Sequence, residues 1–285
     1  MKYAFLTCDD LSDYIIDDDL AIDAFSEVFP NDQLEVVSWS KPEVNWADYD
    51  FAVIRTTWDY TARLDEFLSV LQKIEKSGCK LLNPLSTVEW NSKKTYLKEL
   101  YKKGLPVLTS IFLEKENIAS IKKKVLSWSE EKVVLKPVVG AGAGLIEVLD
   151  KDQLLEKLLD LPNWSNWFIQ PFAEGVLEGE RSFLFFNGEF SHSVIKKPKS
   201  GDFRVQEEHG GSTQLYDAPE EEKELAKKVV DSFGSDLLYV RVDFMPTTDG
   251  LKIIELELVE PSLYFRIDPP SAYRFLEALD DKTKG

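Results

Sequence analysis

The chain has 285 residues, 44% of them hydrophobic, which is enough for a sizeable core and suggests about two domains. Its 34 Lys and Arg against 51 Asp and Glu give a formal net charge of −17, and nothing in it looks like the basic stripe of a nucleic-acid-binding surface, although a local cluster of Lys and Arg can still bind anions. Cys8 and Cys79 are the only cysteines, which argues against a disulfide framework or a Cys-based zinc site. No apolar run approaches the ~20 residues needed to cross a bilayer. The start, MKYAFLTCDD, lacks the apolar core of a signal peptide. A cytoplasmic protein without membrane or nucleic-acid partners is expected.

In chain order, Lys2–Thr7 reads as an apolar strand, followed by a loop rich in Asp from Asp9 to Asp19. Leu20–Phe29 has helical spacing and stops at Pro30-Asn31-Asp32. Leu34–Trp39 and Phe51–Arg55 read as further strands. A β-α-β-β order predicts a small α/β domain with a largely parallel sheet, whose ligands gather at the carboxyl ends of its strands. Arg55-Thr56-Thr57-Trp58-Asp59-Tyr60 lies at such an end. Arg55 offers a fork for a carboxylate or phosphate. Thr57 and Asp59 are either ligand contacts or caps of the helix Leu64–Lys76.

Lys80–Pro84 is a short strand. Helical spacing through Leu97, Leu100 and Tyr101 ends near Gly104, and Val107–Phe112 reads as a strand. Ile118–Trp128 is a helix. Lys132–Pro137 is a strand leading into Gly140-Ala141-Gly142-Ala143-Gly144, with a strand at Leu145–Leu149 beyond. Small residues let backbone N–H groups approach phosphates closely. No Gly-Lys-Ser/Thr occurs, so this is not a P-loop, and the strand-like run after it is wrong for a dinucleotide fingerprint. It is either a flap over phosphates or an ordinary hairpin loop. Asp152–Leu161 is a helix and Trp167–Phe172 a strand. Arg181–Phe186 and Glu189–Ile195 flank the two-residue turn Asn187-Gly188. Lys196–Gly211 is polar and glycine-rich, hence expected to be mobile. Pro219–Phe233 and Ser271–Leu279 read as helices.

Tyr239–Phe265 carries the strongest chemical signal. Val240, Val242 and Phe244 alternate with Tyr239, Arg241 and Asp243, and Ile254, Leu256 and Leu258 alternate with Glu255 and Glu257. Asp249-Gly250 marks a hairpin turn between the two runs. Such a hairpin brings Asp243, Glu255 and Glu257 onto one polar face. Three carboxylates so placed repel unless a cation lies between them, and hard divalent cations prefer oxygen ligands. The simpler alternative is a half-exposed hairpin with acids facing water.

Read in order, several pieces match a family. They are Lys94 before a helix, Leu135-Lys136-Pro137 before a glycine flap, Ile169-Gln170-Pro171-Phe172, Gly179-Glu180-Arg181, and Asp243 with Glu255-x-Glu257. This pattern resembles the ATP-grasp superfamily over about residues 50–265. Lys196–Gly211 is similar to the substrate and phosphate loop of prokaryotic glutathione synthetase. RTTWDY and ELELVEPSLYF are similar to a glutathione-synthetase-like group that includes the cycloserine-pathway cyclo-ligase.

The resemblance implies an ATP-grasp fold, α/β with an α+β C-terminal part. Residues 1–86 would form a Rossmann-like pre-ATP-grasp domain, 87–168 a central subdomain with the flap, and 169–285 a C-terminal subdomain with the metal site. Lys94, Lys136, Gly140, Gly142 and Gly144 would contact ATP phosphates, Gln170 and Phe172 the adenine, and Glu180 the ribose, with Glu174 and Glu178 as rivals. Asp243, Glu255 and Glu257 would hold Mg²⁺, with Mn²⁺ able to substitute. The family commonly has Asn at the position of Glu257, a departure that adds an oxygen ligand. Arg204, Arg241 and Lys196 would serve the phosphoryl in flight, and Arg55, Thr57, Asp59 and Ser262 the substrate. His209 is the better of the two histidines for a substrate contact. The implied activity is a ligase that activates a small-molecule carboxylate as an acyl phosphate for an amine or related nucleophile. An ATP-grasp kinase and a non-catalytic nucleotide-binding regulator are the alternatives. A homodimer would be usual for the family.

Overall fold

The structure, a computed structural model, describes residues 1–12, 14–16, 18–140, 145–233 and 236–284. Strands β1 (Lys2–Thr7), β2 (Gln33–Ser38), β3 (Phe51–Thr56) and β4 (Lys80–Leu82) form a parallel sheet in the order β2-β1-β3-β4. Its central strands are buried on both faces, which explains the unbroken apolar runs Tyr3–Leu6 and Ala52–Ile54. Helices α1 (Asp19–Val28) and α2 (Leu64–Lys76) flank it, their apolar stripes supplying Phe25 and Phe67 to the core.

Two short helices follow, α3 (Leu85–Asn91) and α4 (Tyr96–Lys102). A second sheet is antiparallel in the order β5-β8-β6-β7, from β5 (Ile111–Phe112), β6 (Lys132–Pro137), β7 (Glu147–Asp150) and β8 (Trp167–Pro171). Helices α5 (Ile118–Leu126) and α6 (Lys151–Asp160) cover it through Ile121, Leu154 and Leu158. The third sheet has the order β11-β10-β9-β12-β13, from β9 (Glu180–Phe186), β10 (Glu189–Lys197), β11 (Ser212–Leu215), β12 (Tyr239–Thr247) and β13 (Gly250–Glu257). Helices α7 (Glu220–Asp231) and α8 (Pro270–Lys284) pack on it.

Helix α8 joins the first sheet to the third. Phe275 meets Phe5 with ring centroids 6.2 Å apart and Phe186 at 5.6 Å. Burying each such ring is worth roughly 1.5–3 kcal/mol, so this shared core fixes the carboxyl ends of the parallel strands against the acidic hairpin.

Several expectations need correction. Val107–Phe112 is not one strand. Val107 bridges to Ile253 on β13, whereas Ile111 and Phe112 pair with Ile169 and Phe168 on β8. The segment crosses from one sheet to another, which an apolar run cannot reveal. Helix α3 and strand β11 were not expected, and β7 starts at Glu147 rather than Leu145. Lys196 and Lys197 belong to β10, and Glu207–His209 form a 3-10 turn in which Glu207 is paired with Arg266. The solvated face expected as the alternative for the hairpin is absent from β12, where Tyr239–Pro246 are all buried. The Asn187-Gly188 turn is as expected, with φ of 49° and 81°, the left-handed pair that a two-residue hairpin turn requires.

Candidate active site

The outer edge of β13 would be an exposed row of backbone polar groups. Helices α3 and α4 cover it with side chains. Tyr96 Oη accepts from Leu256 N at 2.9 Å. Asn91 accepts from Leu258 N and donates to Leu256 O, both at 2.9 Å. The backbone of Pro106 and Leu108 completes the edge at Ile253. Within the hairpin, Asp243 stands opposite Glu255, and Ile254 is an extra residue between the Glu255 and Ile253 pairs. This bulge keeps Glu255 and Glu257 on the face of Asp243. Each of the three acids offers an oxygen, and these oxygens lie within 4.8 Å of one another.

The acids are embedded in cations. Asp243, 1% exposed, accepts from Ser182 Oγ at 2.5 Å and from Arg241 Nη2 at 2.9 Å, with Lys196 Nζ at 3.6 Å. Burial works against its charge, but Arg241 and Lys196 outweigh it and hold its carboxyl at about 2. Arg241 also pairs with Glu257, and Lys196 with Glu180. Burial pushes Glu257 up to about 7 against the pull of Arg241. Lys94 lies 2.5 Å from Glu255. Burial opposes its charge, and Glu255 more than offsets that. Lys136, at the end of β6, has no hydrogen-bond or ion-pair partner among the described residues, and burial lowers its pKa.

These groups line two adjoining recesses. One is apolar, with Leu108, Phe172, Val176, Met245 and Ile254 on its wall and Gln170, Glu180 and Arg204 beside them. Gln170 donates to Ser110 Oγ at 3.0 Å, while its side-chain carbonyl is buried without a partner. The other is a polar cleft of about 480 Å³, within the size range of ligand sites, that holds Lys94, Lys196, Arg241 and the three acids. Lys136 and Glu180 border both. Three hard oxygen donors and an unpaired, half-buried lysine beside an apolar slot fit a divalent cation and a nucleotide triphosphate.

Most of the expected site residues meet here. Gly140 accepts from Lys94 Nζ at 2.8 Å, while Gly142 and Gly144 lie outside the described residues. Arg204 borders the apolar recess, paired with Asp202 at 2.8 Å. Ser262 lines the cleft, and its carbonyl accepts from Arg241 Nη1 at 3.2 Å. His209 lines the cleft as well.

Arg55, Thr57 and Asp59 are a correction, because none of them lines either recess. Arg55 is 2% exposed, and its fork is spent on both oxygens of Asp18 at 2.9 Å. Thr57 is fully buried, and Asp59 accepts from Trp39 Nε1 at 2.7 Å. Neither caps α2, whose N-cap is Arg63. Trp58 and Tyr60, from the same loop, line the cleft instead. Tyr14, Asn91, Tyr96 and Glu260 also line it and were not singled out. Only Glu260, an acid close to the acidic strand, had a sequence signal that could have found it.

The fold and the site together define an ATP-dependent carboxylate–amine ligase of the ATP-grasp class. Residues 94–268 match the family model of the prokaryotic glutathione synthetase ATP-grasp domain, and residues 3–83 that of the N-terminal domain of D-cycloserine synthetase DcsG. The chain belongs to the prokaryotic glutathione synthetase ATP-grasp family. It is 28% identical over 268 residues to cycloserine biosynthesis protein DcsG of Streptomyces lavendulae, covering 88% of this chain and 89% of that protein. It is 29% identical over 199 residues to a glutathione synthetase of Prochlorococcus marinus strain MIT 9313, covering 68% of this chain and 61% of that one. The crystal structure of D-cycloserine synthetase DcsG superposes with a TM-score of 0.86 at 25% identity, covering 99% of this chain and 100% of that one. That of the D-alanine–D-alanine ligase from Bacillus anthracis complexed with ATP gives 0.67 at 16% identity, over 99% and 97%, a likeness of fold. Among the described residues no helix is long and apolar enough to cross a membrane.

Proposed function

We propose that this protein joins a small-molecule carboxylate to an amine or related nucleophile through an acyl phosphate. The observation that carries this reading is the convergence of Asp243, Glu255 and Glu257 beside Lys94, Lys196 and Arg241, with unpaired Lys136 between the cleft and the apolar recess. Mg²⁺ held by the three acids would neutralise phosphate charge. Lys94, Lys136 and the 140–144 loop would hold the phosphates. The apolar recess would take the adenine beside Gln170 and Phe172, and Glu180 the ribose. Ser262 would border the substrate.

A carboxylate oxygen would attack the γ-phosphorus, and the bond to ADP would break. Both reactants are anionic, so the cations of this chain would offset their repulsion and stabilise the developing charge. Arg241 and Lys196 are held in the cleft by Asp243, whereas Arg204 stands on the 198–211 segment and would reach the phosphoryl when that segment closes. The amine nitrogen would then attack the acyl carbon, phosphate would leave with the electron pair, and the nitrogen would lose a proton. An acyl phosphate hydrolyses readily, so the 198–211 segment would also exclude water.

The relatives named for cycloserine and glutathione synthesis support a carboxylate and a nitrogen nucleophile as partners. The test is a screen of amino acids and amines for ADP release with Mg²⁺-ATP. Turnover that needs both a carboxylate and a nitrogen nucleophile is expected. ADP formed with a hydroxyl compound alone would point to a kinase instead.

A further inference from the structure

Every other buried or half-buried acid at the centre of the cleft has a cationic partner. Glu180 has Lys196, Asp243 and Glu257 have Arg241, and Glu255 has Lys94. Glu260 is different. It is 8% exposed and lines the cleft, yet its carboxylate has no hydrogen-bond or ion-pair partner among the described residues. It stands outside the set of acids whose oxygens converge for a metal.

Its position is built rather than accidental. Trp58 Nε1 donates to Glu260 O at 3.0 Å, and Arg55 Nη2 donates to the next carbonyl, Pro261 O, at 3.2 Å. Arg55 is anchored in turn by Asp18. Trp58 lines the cleft, with Tyr14 tilted against it at 4.9 Å between ring centroids. Tyr60 lines it too and feels the charge of Glu260, after burial, as the main influence on its phenol. A buried carboxylate without a partner is costly, and aromatic faces attract cations. The cations of this chain are already committed elsewhere in the cleft, apart from Lys136, which borders the nucleotide recess.

We propose that Glu260, walled by Trp58 and Tyr60, is the subsite for a primary ammonium group of the substrate, so that one of the joined molecules is an amino acid or primary amine in its cationic form. This rests on the ligase reading and narrows its substrate class. The ammonium would donate to the Glu260 carboxylate, which gives up its own proton to solvent as the cation binds, while its carbon stem lies on the rings.

The test is calorimetric titration of the full chain, saturated with Mg²⁺ and the non-hydrolysable analogue AMPPNP, with matched probes. D- and L-alanine, D- and L-serine and ethanolamine are compared with lactate, glycerate and ethylene glycol. At least one ammonium compound is expected to bind about tenfold or more tightly than its hydroxyl counterpart, the worth of one charge-assisted contact. Glu260→Gln should erase that preference, Glu260→Asp should retain part of it, and AMPPNP affinity should hold in both. Failure of every ammonium probe to bind would overturn the proposal. So would equal binding of the counterparts, or a preference that survives Glu260→Gln. A loss of AMPPNP or Mg²⁺ affinity in place of the preference would reassign Glu260 to the nucleotide. ADP release with ATP is read separately. Probe binding without ADP release would sink the ligase reading and not the subsite.

Discussion

Lys94 Nζ lies 2.5 Å from Glu255 Oε1, so the lysine assigned to phosphates and an acid assigned to the metal hold each other. A divalent cation at Glu255 has to compete with that ammonium. Lys94→Met is therefore expected to bind Mn²⁺ several-fold more tightly in the absence of nucleotide, while AMPPNP affinity falls by roughly 1.5–3 kcal/mol. Paramagnetic titration with Mn²⁺ reads the first effect and calorimetry the second. Unchanged Mn²⁺ affinity would remove Glu255 from the ligand set.

The three acids are not equivalent in the fold. Asp243 is wholly buried and satisfies Ser182 and Arg241 beside Lys196. Asp243→Asn leaves buried cations short of an anion, at a cost on the order of 3–5 kcal/mol. Glu255 is half-buried and pairs with Lys94. Both Asp243→Asn and Glu255→Gln should abolish ADP release. Thermal unfolding should separate them, with a fall of roughly 5–10 °C for the first and little change for the second. Normal ADP release by Glu255→Gln at limiting Mg²⁺ would contradict the metal assignment.

Lys136 stands half-buried with no partner among the described residues, and burial depresses its pKa. An anion beside it would reverse that penalty. Lys136→Ala should weaken AMPPNP binding by roughly 1.5–3 kcal/mol without lowering thermal stability. A loss of stability with unchanged affinity would make it a structural lysine.

Glu260 gives a pH dependence. Burial, with Glu257 next, pushes its carboxyl from an ordinary 4.5 up to about 8. A raised folded value means that the folded chain holds this proton more tightly than the unfolded one. The stabilisation is complete below 4.5 and is lost as pH rises toward 8, at up to about 1.4 kcal/mol per unit. Glu260→Gln removes the titration, so its unfolding temperature should gain on the wild type as pH rises through that window. Parallel curves would show that the folded chain does not resist ionising Glu260.

How far the sequence could be read follows from the range of each interaction. The Asp243, Glu255 and Glu257 cluster is legible because alternation and an Asp-Gly turn are local signals, and so is the strand that presents Lys136. The role of Arg55, whose fork holds Asp18 and no ligand, is hidden for the opposite reason. Its partners Asp18 and Pro261 are 37 and 206 residues away, and a buried ion pair leaves no local pattern. The division of Val107–Phe112 between two sheets is equally invisible in an apolar run. Glu260 sits three residues beyond Glu257 and looks like another acid. Its lack of a partner exists only once Trp58 and Tyr60 have been brought beside it.

The acyl phosphate is tested most directly by following an oxygen. The carboxylate that supports ADP release is labelled with ¹⁸O, and the phosphate produced is examined by ³¹P NMR. One labelled oxygen is expected in that phosphate, because the attacking carboxylate oxygen becomes the bridge and departs with phosphorus. Stoichiometric ADP together with unlabelled phosphate would contradict the mechanism.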